Sequence, residues 1–563
     1  TISRDNHDNP GINAEGAGTA SSRHMQITRH SGSYGGTTMN YNVTMVCAEV
    51  KPLCKKGGVA DVVTDLSKAL NDAGSTVNVI TYMNKDLNEG LPLNCLQSAG
   101  TVSVALNGGT EKFIVWKVDA SGPHTVYVLE NDTYANRTDD VYPAARADPQ
   151  KYGRKYAAFS KAAAELILTR DEFREGKSVV HCHDYQAALT AACLKTDPRY
   201  DALRENRPAV VQTVHNLGYG PRCDAFQGVY DAAVLDFVGL ASLFHINALE
   251  YFGKANFLKG GVVFADATNC VSERYAEEVT QPHFGGGLEG VMVKAQNEGK
   301  LFGITNGIDT SYVHFRPDGG VSLPYGRGYR VSDAKAANRR HLNDLLRQHQ
   351  YKLLDSDKQT IGVVARLSHQ KFDVLLAEQG AYMRQILEMG VNVLLNAENG
   401  DKTDPLHRIV EDLDGRYKNL IWLNKERPLR DSRGERLGFD AMAQLNFASS
   451  DFLLNPAVYE PCGLTQLIAM MFGTIPIVSA TGGLRNTVIE HSAAHKKGNG
   501  FFIAPNTPDE MVRTVRRALH VAHPQGPHRK IITANCMGAN HGWQTRLASY
   551  GELYDTALRN ARA

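Results

Sequence analysis

A single carboxylate, Glu460, lies between an apolar run of strand length and a run of helical pattern. The run DFLLNP covers residues 451–456, and Pro461 and Gly463 then break the chain before LTQLIAMMF, so a helix is predicted to begin near Cys462. The unpaired N–H groups and positive dipole at a helix start favour a bound phosphate. A carboxylate beside it suits sugar hydroxyls or developing positive charge. The segment is typical of a phosphosugar or nucleotide site, although a strand and helix with a surface Glu also fit it.

Two basic side chains flank another predicted turn in the second half of the chain. Arg366 ends the strand-like run IGVVAR, and Lys371 follows five residues later. Cations placed in this way can clamp the two phosphates of a sugar nucleotide and stabilise the leaving group as its negative charge develops. Two solvated surface residues are the alternative interpretation. We favour the clamp because we predict this turn to lie opposite the strand end that carries Glu460.

The first half of the chain has a loop that combines lysines with glycines. In CAEVKPLCKKGGVADVV, Glu49 ends a predicted strand, and Lys55 and Lys56 precede Gly57 and Gly58 before a predicted helix. Glycine lets the backbone approach a ligand closely, and a lysine beside it supplies the point charge that a diphosphate favours. The pattern GxxxxGK[ST] is absent, which excludes a Walker A loop. A generic surface turn remains the alternative.

Histidines mark the ends of two further predicted strands. His183 follows KSVVHC, and His215 ends AVVQTVH. A histidine at such a position can donate to a sugar hydroxyl or stabilise a developing charge, whereas a histidine satisfied within the core is the alternative. For His183 we favour a role in the functional site over burial in the core. We predict that His181 points away from His183 and faces the packing side of the strand.

Composition excludes several classes of function. The 563 residues carry 61 Lys and Arg against 60 Asp and Glu, a net charge of +1, which gives no field that would attract nucleic acid. No apolar run is long enough to span a bilayer. Nine cysteines without metal spacing argue against a zinc site or a disulfide framework and favour a reducing compartment. Cys462 is interpreted as a small packed residue.

Strand-like and helical patterns alternate along the chain in two series. The first runs from VTMVCAEV to LFGITNG and the second from QTIGVVAR to GFFIAP. This pattern predicts an α/β fold of two tandem Rossmann-like, doubly wound parallel-sheet domains that face a central cleft. The predicted boundaries are a disordered polar tail over 1–40, a first domain over 41–330, a linker and helix over 331–358, a second domain over 359–540 and a final helix over 541–563.

These segments together resemble the starch synthases and bacterial glycogen synthases of glycosyltransferase family 5. The loop with Lys55 resembles the family's KTGGLADV, and the ARLSHQK segment resembles its RLxxQKG. The similarity continues in family order from residue 43 to residue 488, and it is carried also by HCHDYQAAL, VHNLGY, NFLKGGVVFAD, VSERYAEEV, ITNGID, EPCGLTQLIAMMFGTIPIV and TGGLRNTV.

The resemblance implies a GT-B fold, with the final helix crossing back to the first domain. It also implies transfer of glucose, with retention, from a nucleotide sugar, usually ADP-glucose, to the non-reducing end of an α-1,4-glucan. No metal and no other cofactor is implied, the partners are the nucleotide sugar and the glucan, and the home is a bacterial cytoplasm or a plastid. The implied catalytic residues are Lys55, His183, Arg366, Lys371 and Glu460, and the implied substrate-binding residues are Glu49, Gly57, Gly58, Asp61, Asn256, Cys462, Gly463, Leu464, Thr465 and Phe439.

The chain departs from the family pattern at several positions. Lys56 adds a charge to the glycine loop, Phe372 and Asp373 shorten the turn after Lys371, and GPRCDAF at 220–226 is an insertion at the predicted cleft edge. Asn486 replaces a family Asp. Asp148 aligns with the carboxylate of the family's acceptor-binding segment only if a gap is introduced.

Two functions from different classes therefore stay open, an active glucan synthase and a weakened relative that binds glucan as a primer or scaffold. ADP-glucose and UDP-glucose are both open as donors, because base stacking on Phe439 would tolerate either. A nicotinamide dehydrogenase is excluded, because no GxGxxG opens a βαβ unit.

Overall fold

The structure is a computed structural model, and it describes residues 38–91, 95–118, 124–143, 148–218, 223–313, 330–398, 402–424, 426–431 and 433–563. Residues 1–37 of the predicted tail lie outside these ranges. So do residues 219–222, which include the start of the predicted insertion, and residues 314–329, at the end of the predicted first domain.

The first half of the chain builds a nine-stranded sheet in the spatial order β12-β11-β7-β6-β1-β2-β5-β4-β3. Its pairs are parallel except β3-β4 and β4-β5, which form an antiparallel edge. A second, three-stranded sheet has the order β8-β10-β9. The strands are β1 Asn42–Val46, β2 Thr76–Tyr82, β3 Leu96–Leu106, β4 Gly109–Val118, β5 Thr125–Glu130, β6 Ser178–His183, β7 Ala209–Val214, β8 Val229–Tyr230, β9 Glu250–Tyr251, β10 Lys254–Asn256, β11 Ala267–Cys270 and β12 Leu301–Gly303.

Helices cover the faces of the nine-stranded sheet, so strands such as β6 and β7 are buried along their whole length. Burial on both faces explains why these strands are continuous apolar runs instead of alternating ones. The helices are α1 Gly58–Asp72, α2 Lys85–Gly90, α3 Pro149–Thr169, α4 Asp184–Lys195, α5 Pro198–Ala202, α6 Cys223–Gln227, α7 Ala233–Val238, α8 Phe257–Phe264, α9 Glu273–Glu278, α10 Pro282–Gly285 and α11 Glu289–Asn297, with 3₁₀ turns at Asp171–Phe173, Arg204–Asn206, Ala241–Leu243 and Thr310–Val313.

The second half builds an entirely parallel six-stranded sheet in the order β15-β14-β13-β16-β17-β18. Its strands are β13 Thr360–Arg366, β14 Asn392–Glu398, β15 Leu420–Leu423, β16 Phe452–Asn455, β17 Ile475–Ser479 and β18 Phe501–Ile503. The helices of this half are α12 Val331–Gln348, α13 His369–Phe372, α14 Ala377–Glu388, α15 Pro405–Arg416, α16 Phe439–Ser449, α17 Thr465–Met471, α18 Gly482–Thr487, α19 Pro508–Val521 and α20 Pro527–Gly538.

We call the part around the nine-stranded sheet, residues 42–303, the first lobe, and the part around the six-stranded sheet, residues 360–503, the second lobe. After a 3₁₀ turn at Trp543–Thr545, the last helix, α21 Leu547–Arg562, packs against β7 and β11 of the first lobe. The hydroxyl of Tyr554 on α21 lies 3.1 Å from Nδ1 of His181 on β6. The end of the chain thus returns to the first sheet.

The predicted α/β class with two parallel sheets is confirmed, whereas the antiparallel edge β3-β4-β5 was not predicted. One predicted helix start was wrong, because the helix after Glu460 begins at Thr465 and not near Cys462. Gly463 has a φ of +73°, a left-handed conformation that prolongs the turn before the helix can start. Within the described ranges, no helix is long and apolar enough to cross a bilayer.

Candidate active site

The glycine loop of the first lobe is shaped by a buried carboxylate. Glu49 is fully buried, and its Oε2 accepts hydrogen bonds from the backbone N–H groups of Lys56 and, at 2.8 Å, Gly57. Its Oε1 accepts a hydrogen bond from the Tyr142 hydroxyl. Oε2 of Glu49 therefore holds the loop and Oε1 is taken by Tyr142, at a position where the family resemblance implied a substrate-binding residue.

The two lysines of this loop point to different partners. Nζ of Lys55 lies 3.1 Å from Asp61 of the first lobe and 2.7 Å from Asp440 of the second lobe. Burial alone would lower the pKa of Lys55, but these two carboxylates outweigh burial and raise its pKa. Lys56 instead forms an ion pair with Asp86 at 2.6 Å, so its charge is compensated within the first lobe.

The glycine loop faces the second lobe directly. Helix α1 begins at Gly58, preceded by Gly57 in an extended conformation without a side-chain cap. A Cβ atom built on Gly58 would lie 3.6 Å from Cδ1 of Leu464, the residue before α17. Leu464 packs against the cores of both lobes. The structure thus brings the predicted residues Gly57, Gly58 and Leu464 together.

In the second lobe, Lys371 contacts the carboxylate of Glu460. Glu460 is 7% exposed, and its Oε2 also lies 3.3 Å from the amide nitrogen of Asn455 at the end of β16. Burial, followed by the positive charge of Arg366, lowers the pKa of Lys371 to about 7. When Lys371 is protonated, the adjacent carboxylate of Glu460 compensates its charge. Arg366 ends β13 with an exposed side chain that makes no hydrogen bond or ion pair to the described residues. Its guanidinium is therefore available to a ligand.

Two hydrogen bonds of Gln370 hold Lys371 beside Glu460. The side-chain amide of Gln370 donates to the carbonyl of Tyr459 at 3.0 Å, and the backbone N–H of Val458 donates to the carbonyl of Gln370 at 2.9 Å. The short helix α13 is thereby fastened to the segment that leads into Glu460. The turn that carries Arg366 and Lys371 is thus joined to the turn that carries Glu460.

The turn after β17 packs directly against the backbone of Glu460. A Cβ atom on Gly482 would lie 1.8 Å from the carbonyl oxygen of Glu460, and a Cβ atom on Gly483 would lie 2.2 Å from that of Cys462. The N–H of Gly483 donates to the Glu460 carbonyl at 3.1 Å. Only glycines fit at both positions, because any larger residue would displace the backbone that carries the carboxylate.

A row of contacts joins α9 of the first lobe to this turn. Oε1 of Glu278 accepts hydrogen bonds from the N–H of Gly482 at 3.1 Å and from the Thr481 hydroxyl at 3.4 Å. The hydroxyl of Ser272 donates to the carbonyl of Pro461 at 2.5 Å. Sequence reasoning missed Glu278, although it lies within VSERYAEEV, a segment that was used only for the family resemblance.

Three buried histidines cluster at the ends of β6 and β7. Nδ1 of His183 lies 2.9 Å from Nε2 of His215, and the rings of His181 and His183 stack with centroids 4.3 Å apart. Burial lowers the pKa of His183 well below its ordinary value, with further contributions from His181 and His215, and lowers the pKa of the other two to about 3. All three imidazoles are therefore neutral at physiological pH.

The expectation that His181 points away from His183 was wrong. Residues two apart in a strand share a face of the sheet, so both imidazoles lie on the same side of β6. His181 is fully buried and also lies 2.6 Å from the hydroxyl of Thr213. His181 thus supports His183 from within the packed layer under α21.

The remaining predicted substrate residues have varied surroundings. Asn256 is fully buried, where its Oδ1 caps α8 through the N–H of Lys259 and its amide nitrogen donates to Gln227 at 2.8 Å. Cys462 is buried, and burial raises the pKa of its thiol to about 12. Thr465 and Phe439 are half-buried at the first positions of α17 and α16.

The departures from the family pattern also have local explanations. Phe372 is fully buried in the second lobe, and Asp373 pairs with His369 at 2.7 Å, which closes the shortened turn. Asn486 accepts a hydrogen bond from the N–H of Arg274 at 2.9 Å, across the two lobes.

Asp148 caps α3 and accepts from the N–H of Gln150 at 2.9 Å. Nothing in the described ranges arranges three or more His, Cys, Asp or Glu side chains to hold a metal ion. The expectation of a metal-independent reaction stays a prediction. All nine cysteines are free thiols.

Comparisons with known proteins agree with this geometry. Residues 42–294 match a family model described as the starch synthase catalytic domain, and residues 441–535 match the model for glycosyl transferases group 1. The glycogen synthase of Pseudothermotoga lettingae is 33% identical over 524 residues, which cover 92% of this chain and 99% of that protein. The glycogen synthase of Geotalea uraniireducens is 31% identical over 519 residues, with the same coverage.

Solved structures show the same fold. The catalytic domain of starch synthase IV from Arabidopsis thaliana, bound to ADP and acarbose, superposes with a TM-score of 0.75 at 24% identity, covering 92% of this chain and all of that one. Sucrose-phosphate synthase from Thermosynechococcus elongatus gives a TM-score of 0.53 at 15% identity, covering 92% of this chain and 98% of that one. The predicted GT-B fold is confirmed.

Proposed function

The chain belongs to the family of starch and glycogen synthases, and from this membership we propose that it transfers glucose from ADP-glucose to the non-reducing end of an α-1,4-glucan. The observation that carries the proposal is the contact between Lys371 and Glu460, with the exposed cation Arg366 on the same turn. A glucan-binding scaffold has no need for a buried acid paired with a phosphate-binding cation.

Donor binding rearranges the charges of this turn. The diphosphate of a sugar nucleotide takes Arg366 and Lys371 as partners, because the diphosphate as a whole carries more negative charge than one carboxylate and both cations form charge-assisted hydrogen bonds to it. Glu460 then turns its carboxylate to the hydroxyls of the glucose. Lys55 and the N–H groups at the start of α1 approach the same diphosphate from the first lobe.

The chemical step exchanges one bond at the anomeric carbon for another. The 4-hydroxyl oxygen of the acceptor bonds to the anomeric carbon on the face from which the phosphate oxygen departs. The bond to that phosphate oxygen breaks, and the phosphate takes the hydroxyl proton, so ADP leaves and the configuration is retained. Glu460 orients the sugar and makes no covalent bond in this scheme.

His183 assists this step as a neutral group. Burial keeps the imidazole uncharged, so it adds no positive charge next to an oxocarbenium-like transition state. A neutral imidazole still offers one donor and one acceptor. His183 and its backbone carbonyl thus offer polar groups to the transition state without repelling its positive charge.

The donor base is tested by direct competition. Purified full-length chain is incubated with glycogen and equal concentrations of ADP-glucose and UDP-glucose, and released ADP and UDP are measured together with the glucose added to the polymer. We expect ADP to be the main product and one glucose to be added for each nucleotide released. Predominant UDP release would overturn the donor assignment alone. Tight glycogen binding without any nucleotide release would select the scaffold function.

A further inference from the structure

The carboxylate of Asp440 in the second lobe forms an ion pair with Lys55, the lysine of the first lobe that is proposed to bind the donor. Oδ1 and Oδ2 of Asp440 lie 2.9 Å and 2.7 Å from Nζ of Lys55, so both oxygens contact the same ammonium. Asp440 follows Phe439 in the first turn of α16, whereas Lys55 lies in the glycine loop before α1. The contact therefore crosses the cleft between the lobes.

The surroundings of the two carboxylates on Lys55 differ. Asp61 is shared with Lys51, which lies 2.6 Å from it and satisfies it independently of Lys55. Asp440 is half exposed and has Lys55 as its only ion-pair partner in the described part of the chain. Asp440 can therefore leave Lys55 for solvent, while Asp61 stays in place.

We propose that Asp440 is a positioning residue that holds Lys55 across the cleft between the lobes and is displaced from it by the diphosphate of the entering donor. This inference rests on the proposed function, in which Lys55 binds that diphosphate. Lys55 already has Asp61 on one side, so a diphosphate that binds its ammonium must take the place of Asp440, because a third anion beside the ammonium would be repelled by the other two. Asp440 thus competes with the donor, in contrast to a residue that binds it.

The replacement of Asp440 by the diphosphate at Lys55 costs little free energy, and so does the reverse step. Ion pairs between partly exposed groups contribute little to stability, since water and salt compensate the separated charges. The released Asp440 remains in the first turn of α16, where the helix dipole favours a negative charge. After transfer, Asp440 returns to Lys55 and helps to expel the nucleoside diphosphate.

The test compares ADP binding by isothermal titration calorimetry in wild type and Asp440→Asn. The variant keeps the size and the helix-start preference of the residue but removes its charge, so we expect the Kd for ADP to fall by about two- to five-fold, the range of one exposed ion pair. Asp440→Ser is a second variant with the same expectation. Asp414→Asn is the matched control, because it removes a charge that pairs with Lys352 in the second lobe, and it should leave the Kd unchanged.

A double-mutant cycle shows whether Asp440 acts through Lys55. In a Lys55→Ala background, Asp440→Asn should no longer tighten ADP binding. An unchanged or higher Kd in Asp440→Asn, or an equal tightening in the Lys55→Ala background, would overturn the inference and leave the proposed function intact. If wild type did not bind ADP, the proposed donor and the inference would both fail.

Discussion

The carboxylate of Glu278 in the first lobe accepts a hydrogen bond from the N–H of Gly482 in the second lobe, at 3.1 Å. Gly482 in turn packs against the carbonyl oxygen of Glu460. Glu278 is 4% exposed, and burial raises its pKa. A buried carboxylate of the first lobe therefore holds the turn that packs against Glu460 of the candidate site.

Removing this carboxylate should weaken both stability and activity. Glu278→Ala leaves the N–H of Gly482 buried without an acceptor, so we expect the free energy of unfolding to fall by about 1–3 kcal/mol. Glu278→Gln retains an acceptor oxygen and should lose less. Urea unfolding and initial rates measure the two effects. Glu277→Ala is the control, because the Glu277 side chain is 65% exposed. Equal effects of the Glu277 and Glu278 substitutions would contradict this role.

The close packing of Gly482 makes a second prediction. Gly482→Ala places a Cβ atom against the Glu460 carbonyl at a φ of +43°, so the turn must shift and turnover should fall strongly. Gly415→Ala is the matched substitution, because Gly415 lies inside α15 with open space around it. It should raise the unfolding free energy by about 0.4–1 kcal/mol without changing turnover. Normal turnover in Gly482→Ala would show that the turn does not position Glu460.

The buried histidines should make stability depend on pH. His181 has a pKa of about 3 in the folded protein, below its ordinary value of 6.5. Below about pH 6.5 the imidazole of His181 therefore takes up a proton in the unfolded chain but stays neutral in the folded protein. The contribution of His181 to the unfolding free energy is complete above that pH and is lost as the pH falls towards 3.

Replacing His181 should reduce this dependence. Between pH 6 and pH 5, we expect His181→Gln to lose less unfolding free energy than wild type, by up to about 1.4 kcal/mol per pH unit. Urea unfolding at the two pH values gives the slopes. His495→Gln, at an exposed position, serves as control. Identical slopes for wild type and His181→Gln would mean that His181 is protonated equally in both states.

Two residues should carry much of the catalytic effect. Glu460→Ala and His183→Ala should each lower turnover by about 100-fold or more while the protein stays folded, because electrostatic groups of this kind typically contribute that much. Steady-state rates and circular dichroism measure the two properties. Glu411→Ala, at an exposed position on α15, should leave both unchanged. Near-normal turnover in both site variants would reject the assigned site.

Local sequence patterns predicted much of this structure. Apolar runs with β-branched residues identified strands of both sheets, and residues such as His183 and Arg366 were correctly placed at strand ends. These features depend on neighbours in sequence, so periodicity alone reveals them. The position of His181 was mispredicted because residues two apart in a strand lie on the same face of the sheet, whereas His181 was expected to lie on the face opposite to His183.

Contacts between the lobes could not be predicted in the same way. Asp440 and Glu278 gain their roles from Lys55 and Gly482, which lie 385 and 204 residues away in sequence. The hydrogen bond from the N–H of Gly57 to the carboxylate of Glu49 was not predicted either. Such partners depend on how two packed lobes meet, which no local pattern specifies.

We expect basic groups of both lobes to bind one diphosphate, and this is measured by titrating ADP into Lys55→Ala and Lys371→Ala. Wild type should bind one ADP per chain, and each substitution should raise the Kd by about 10- to 100-fold, the range for a hydrogen bond to a charged group. An unchanged Kd in Lys55→Ala would mean that the second lobe holds the diphosphate alone, and an unchanged Kd in Lys371→Ala would mean that Lys371 does not bind it; either result would contradict the account.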